Sequence, residues 1–198
     1  MKIGVIGAPG SGKSKFAKDI AKTFDLTTVD NYVQRLKDTT DLELGYWASY
    51  SENFMIAGVR MAVERRYKNT ITAGTILDTL LYCAMKHDIT VSQKGAVQQA
   101  YERSEYARVN SAMSAMGMMY TESWSYDLAF YLPLEKDYLV RGIELDKVHD
   151  DEIPHLLEVF HAPVITLTGS HDDKVRLAKE VTEIVLAEED PIETPSSE

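Results

Sequence analysis

The stretch that decides the fold runs from Lys2 to Ala17, KIGVIGAPGSGKSKFA. Its first part, Lys2 to Ile6, is a short apolar run ending in glycine, the profile of a buried strand. From Lys13 onward the apolar residues shift to helical spacing, with Phe16, Ala17, Ile20, Ala21 and Phe24 sharing a face. Between strand and helix, Gly7-Ala8-Pro9-Gly10-Ser11-Gly12-Lys13-Ser14 fits G-x-x-x-x-G-K-[ST] at every position. Such a match arises by chance in roughly one chain per hundred of this length, and rarely in this setting. Glycines at 7, 10 and 12 allow left-handed turns, so successive N–H groups point inward at phosphate oxygens. The helix beginning near Lys13 adds its open N–H groups and positive dipole end. Lys13 is placed to reach the β- and γ-phosphates, and the Ser14 hydroxyl to ligate Mg²⁺. ATP with Mg²⁺ is the expected cofactor.

Further along, the two periods alternate. Leu26–Val29, Asn69–Ala73, Asp127–Leu132 and Pro163–Thr168 read as further strands. Helical spacing covers about 41 to 67 (with a possible break at Gly58), Ile76–His87, Ser92–Tyr120 and, from a Ser170 cap with Asp173 three residues on, the last helix. Leu139–Phe160 reads as two short helices parted near Pro154. Strands alternating with helices predict an α/β fold, a three-layer sandwich around a parallel five-stranded sheet with helices on both faces.

Of 198 residues, 21 are Lys or Arg and 31 Asp or Glu, giving a net charge of −10. That balance disfavours a protein whose main task is binding nucleic acid. The lone Cys83 excludes an internal disulfide framework and a Cys-based zinc site. No apolar run reaches the ~18 residues of a membrane span, and the start lacks the profile of a secretory signal. The expectation is one domain over residues 1–186, with a disordered acidic tail over 187–198, located in the cytoplasm (a host's, if phage-encoded).

Candidate residues for chemistry lie beyond the loop. Asp30 directly follows the second strand, on the carboxyl edge where open α/β sheets bind ligands. Trp47, Tyr50 and Phe54 share a helical face, serving either as core or as a stacking surface for an acceptor's base. Asp78 is the first carboxylate after the third strand and suits either Mg²⁺ or the acceptor sugar, or else a helix's first turn. Arg60, Arg65 and Arg66 form one group of cations, Arg103 and Arg108 a second, and Arg141 a third. Met113, Met116 and Met119 form a stripe that suits adaptable core packing or a homodimer contact. The five histidines lack metal-ligand spacing, and only His171, after the fifth strand, stands near the expected nucleotide.

GAPGSGKS resembles the loop of adenylate-kinase-like P-loop kinases, and about 185 residues of layout are similar to small nucleoside and nucleotide kinases. The nearest resemblance is to the NadR-type kinase group and to phage deoxynucleoside monophosphate kinases. It is carried outside the loop by Tyr126-Asp127, the stretch around Arg141, and Thr168-Gly169 with Arg176. The resemblance implies transfer of a phosphoryl group from ATP to a nucleoside or (deoxy)nucleoside monophosphate. It implies a catalytic role for Lys13, Asp30 and a lid residue Arg141, with the lid over about 134–160. Phe16 and Gly169 would then join residues 7–14 at the nucleotide. Trp47, Tyr50, Phe54, Asp78, Arg103 and Arg108 would serve the acceptor, and Ser14 with Asp78 the metal. Asp78-Thr79-Leu80-Leu81-Tyr82 resembles a helix start of thymidylate-type kinases, yet the upstream Asp-Arg of those enzymes is missing here, where Ala73-Gly74 stands. Two other classes remain open: an ATP-driven switch acting on a protein partner, and a kinase for modified bases in DNA.

Overall fold

A computed structural model describes residues 1–43, 48–83, 96–123, 126–135, 144–157 and 162–189. Strand β1 (Lys2–Ile6) leads through the glycine loop into α1 (Lys13–Phe24). Then follow β2 (Thr27–Thr28), α2 (Asp30–Thr39), α3 (Tyr50–Arg66) and β3 (Thr70–Ala73). A helix α4 covers 76–83, and α5 is Ala96–Ser123. The chain continues with β4 (Leu128–Tyr131), α6 (Glu144–Leu157), β5 (Val164–Thr166) and α7 (His171–Glu189).

The five strands form one sheet in the order β2-β3-β1-β4-β5, and every pairing is parallel. Alternation along β1 sorts its side chains to two faces. Ile3 and Val5 join Phe16, Ile20, Phe130 and Leu167 in a cluster between the sheet and α1 and α7. Ile6 faces the other way and packs with Leu81, Tyr131 and Ile153 under α4 and α6. Gly4 shares that second face, where an added Cβ would stand 3.3 Å from Thr75 and from the Tyr126 ring. This doubly covered parallel sheet is the architecture expected from the strand–helix alternation. Among the described residues, no helix is long and apolar enough to cross a membrane.

Several boundaries differ from the sequence reading. The stretch expected to be helical from about 41 holds non-helical backbone at 41–43, and α3 starts only at Tyr50. Its start is set by a capping box: the Ser49 hydroxyl accepts from the Glu52 N–H at 3.2 Å, and Glu52 accepts from the Ser49 N–H. Gly58 does not break α3, because Ile56, Ala57 and Val63 bury the helix around it. Helix α2 went unexpected, since Val33 is its only buried residue and leaves no apolar stripe to read. Pro154 lies inside a single helix, α6, rather than between two. A proline there removes the donor for the Asp150 carbonyl, and the Tyr131 hydroxyl takes that carbonyl at 3.3 Å instead. Helix α7 continues through Glu189, into the segment expected to be tail.

Candidate active site

The loop between β1 and α1 has the backbone that its glycines predict. Gly7, Gly10 and Gly12 have φ of 156°, 82° and 89°. A Cβ at Gly7 would stand 2.5 Å from the Leu132 carbonyl and 2.6 Å from Ser11 Oγ, so no other residue fits. At Gly12 a Cβ would meet nothing within 4 Å, which leaves the mouth of the loop open. No side chain caps α1, so its first-turn N–H groups face that mouth without an intrahelical acceptor. Ser11 Oγ is buried there without a hydrogen-bond partner. Lys13 folds back over the loop, donating to the Gly7 carbonyl and, at 2.8 Å, to the Ala8 carbonyl. Ser14, one residue into the helix, is exposed. A ring of inward donors with a cation on its rim is suited to a polyphosphate.

Phe16 lies on the buried face of α1. Its ring is fully buried, edge-on to Phe130 at 5.6 Å, and its N–H is bonded to the Gly12 carbonyl. It supports the loop from beneath. Gly169 has φ 97° in the turn before α7, whose first turn is capped by Ser170 Oγ, 3.2 Å from the Asp173 N–H. His171 bonds Asp19 of α1 at 2.8 Å, tying the two helices that flank the loop.

Asp78 is 1% exposed and stands in the first turn of α4, as one of its two readings expects. One carboxylate oxygen caps α4, accepting from the Thr75 N–H at 2.7 Å and hydroxyl at 3.1 Å. The other faces the Gly7 N–H at 3.4 Å, which binds the end of β3 to the phosphate loop. The first turn of α4 therefore has a carboxylate beside the loop without a Walker B strand end.

Asp30 begins α2 and reaches across to β3, where Oδ2 accepts the Ala73 N–H at 2.7 Å. Burial raises its pKa above the usual carboxylate value, opposed by Arg60, the Ala73 N–H and Lys13. On α3, Arg60 places Nη2 3.9 Å from Asp30 Oδ1 and Nη1 2.8 Å from Thr79 Oγ1. One turn later, Glu64 is 2% exposed and accepts from the Thr72 hydroxyl and, at 3.0 Å, from the Tyr126 hydroxyl. Burial pushes its pKa up to about 7. Asp150 of α6 accepts from the Leu134 N–H and the Tyr131 hydroxyl, both at 3.1 Å, and its pKa too is raised by burial.

The remaining expectations divide. Tyr50 is 2% exposed and packs with Ala57, Ile76 and Tyr126, 5.6 Å from the Tyr106 ring. Phe54, one turn further along α3, is 37% exposed. Arg103 and Arg108 are exposed on α5, and Arg108 donates to the Ser104 carbonyl within that helix. Trp47 and Arg141 lie outside the described residues, as do 136–143 and 158–160 of the expected lid. Arg60 stands in the sequence only as one of three cations on its helix, and Glu64 and Asp150 carry no local pattern that marks them for the site.

Strand order, all-parallel pairing and the strand–loop–helix geometry of residues 2–24 together settle the architecture. This is the α/β fold of P-loop NTPases. No protein-family model matches the sequence, and no curated protein does. Among solved structures, the chain is similar to deoxyadenosine kinase from M. mycoides with bound dATP. The TM-score is 0.60 at 14% identity, covering 92% of this chain and 100% of that one. The same enzyme with bound dCTP gives a TM-score of 0.56 at 16% identity, over 93% and 100% of the two chains. NadR protein in complex with NR gives 0.60 at 12% identity; 99% of this chain aligns, spanning 54% of NadR. At such identities the likeness is one of fold, and it agrees with the kinase resemblance read from the motif.

Proposed function

We propose that this chain transfers the γ-phosphoryl group of ATP to the hydroxyl of a nucleoside, or to the phosphate of a (deoxy)nucleoside monophosphate. The observation that carries this reading is Asp30, held by the Ala73 N–H on the carboxyl edge of the sheet, close enough for the Lys13 charge to act on it. A kinase needs a carboxylate that orients or deprotonates the acceptor hydroxyl while cations neutralise the transferring group. In the nucleoside case the acceptor O–H proton passes to Asp30, the oxygen bonds to the γ-phosphorus, and ADP leaves. A carboxylate with a raised pKa is the stronger base for that step. The kinase neighbours, one with bound dATP and another in complex with NR, agree with a small acceptor.

Among the described residues, no group of three or more His, Cys, Asp or Glu is arranged for a metal. Mg²⁺ in nucleotide sites asks for less, since phosphates and waters fill most of its shell. The exposed Ser14 hydroxyl fits as a direct ligand, and Asp78, engaged by Thr75 and Gly7, fits as a partner through water. Bound there, the ion would screen charge on the transferring phosphoryl.

A coupled ADP-release screen over nucleosides and their monophosphates, with and without Mg²⁺, tests the reading. Asp30→Asn is expected to lower kcat at least ~100-fold with little change in the KM for ATP. Unchanged kcat with lowered thermal stability would make Asp30 a tie between α2 and β3 and nothing more. ATP label passing into duplex DNA instead of free nucleotides would transfer the reading to a DNA-modifying kinase.

A further inference from the structure

Arg60 approaches the site from an unusual direction. The third strand ends in Ala73-Gly74, with no charged side chain at the corner nearest the phosphate loop. Gly74 has φ 83°, and a Cβ there would stand 3.1 Å from Arg60 Nη2. The guanidinium thus lies against bare backbone at the end of β3, in space that a side chain on residue 74 would need. Its side chain is only 13% exposed. Of its donors, Nη1 is bonded to Thr79, Nη2 faces Asp30, and Nε is buried without a hydrogen-bond partner. Holding a guanidinium in so closed a place is costly unless opposite charge surrounds it. Asp30 at the start of α2 supplies that charge, and the Glu64 carboxyl, one turn along α3, also faces the guanidinium.

We propose that Arg60 is the positioning residue of the acceptor site: clamped by Thr79 and seated on Gly74, it keeps the Asp30 carboxylate ionised and fixed in direction for the acceptor hydroxyl. This rests on the reading of Asp30 as the base. The Ala73 N–H fixes one oxygen of Asp30 and the guanidinium flanks the other, so the group has little freedom to turn. Arg60 is also the first of the charges opposing the effect of burial on Asp30. A lysine would substitute poorly, since one ammonium cannot span Thr79 and Asp30 as the planar fork does.

The test is the acid limb of the pH profile of kcat/KM for the acceptor identified by the screen, in wild type, Arg60→Gln, Arg60→Met and Arg60→Lys. Among the described residues, the charged groups facing Asp30 are Arg60 from α3 and Lys13 from α1, and the titratable groups facing Arg60 are Asp30, Glu64 and Tyr126. Each profile is therefore repeated in a Glu64→Gln background, which removes the second carboxyl. Loss of the guanidinium is expected to move the acid limb upward by about one pH unit. On the acid side kcat/KM then falls about tenfold more than on the alkaline plateau, with the KM for ATP nearly constant. Arg60→Lys should lie between. Should Arg60→Gln not fold, Arg60→Met keeps the apolar stem and carries the comparison. Acid limbs that superimpose on wild type in the uncharged variants would overturn the proposal. Asp30→Asn separates the two failures: if it retains kcat, the base reading falls as well, and if it does not, only the role of Arg60 is lost.

Discussion

Glu64 offers the sharpest test of the energetics of this interior. It stands between β3 and Tyr126, with the Thr72 and Tyr126 hydroxyls donating to the same oxygen, and burial lifts its pKa from 4.5 to about 7. A rise of some 2.5 units corresponds to about 3 kcal/mol between protonated and ionised forms. The sign follows from linkage. Below about pH 4.5 the group is protonated in folded and unfolded chains alike and costs nothing. As pH climbs from there, the unfolded chain sheds the proton while the fold retains it, so stability falls until the folded group ionises near pH 7. Glu64→Gln keeps an oxygen acceptor for Thr72 and Tyr126 but cannot titrate. Its extra N–H₂ must also find partners, which sets a constant offset of about 1–3 kcal/mol. The measurable is therefore the difference in unfolding free energy between variant and wild type across that window. It should swing by about 3 kcal/mol in favour of the variant, or by roughly 6–12 °C in Tm for a chain of this size. Chemical denaturation at several pH values gives it directly. A difference that stays flat within about 0.5 kcal/mol would refute the claim that Glu64 is a buried carboxyl reluctant to ionise.

Two other outcomes are expected. Lys13→Ala leaves the backbone cradle in place but removes the ammonium that follows the γ-phosphate, so phosphotransfer in the ADP-release assay should fall at least ~100-fold; turnover near wild type would remove the loop from the mechanism. Phe16→Ala empties a fully enclosed site beneath the loop and should cost about 3–5 kcal/mol in denaturant unfolding; a cost below ~1 kcal/mol would mean the ring is not the support described.

How legible the fold was depended on how local each signal is. Residues 2–24 carry strand, loop and helix in a row, each specified by its own periodicity or its own glycines, and they form as read. Strands β3 and β4 read equally well, being fully buried and apolar or β-branched throughout. Helix α2 did not, because it touches the core through Val33 alone. Pro154 misled because its cost is met by a hydroxyl from β4, more than twenty residues earlier in the chain. The site followed the same rule. Asp30 and Asp78 were visible as first carboxylates after their strands. Arg60 and Glu64 look like any solvated pair on a charged helix until β3 and Tyr126 are brought against them.

The central place of β1 has a consequence for how the chain is born. Its neighbours on either side are β3 and β4, with Lys2 set against Thr70 and Ile3 against Leu128. Lys2 even donates its N–H to Asp127, 125 residues away. On a ribosome the glycine loop emerges well before β3 and β4, so the strand that carries it has no edge to join until β3 appears, and its second partner comes only with β4. Parallel pairings between such distant segments form slowly. Until β3 and β4 have emerged, β1 is therefore an apolar segment with no sheet to receive it, and a nucleotide in the cell has no cradle to bind. Nucleotide binding can lock the finished fold by mass action but cannot template its assembly.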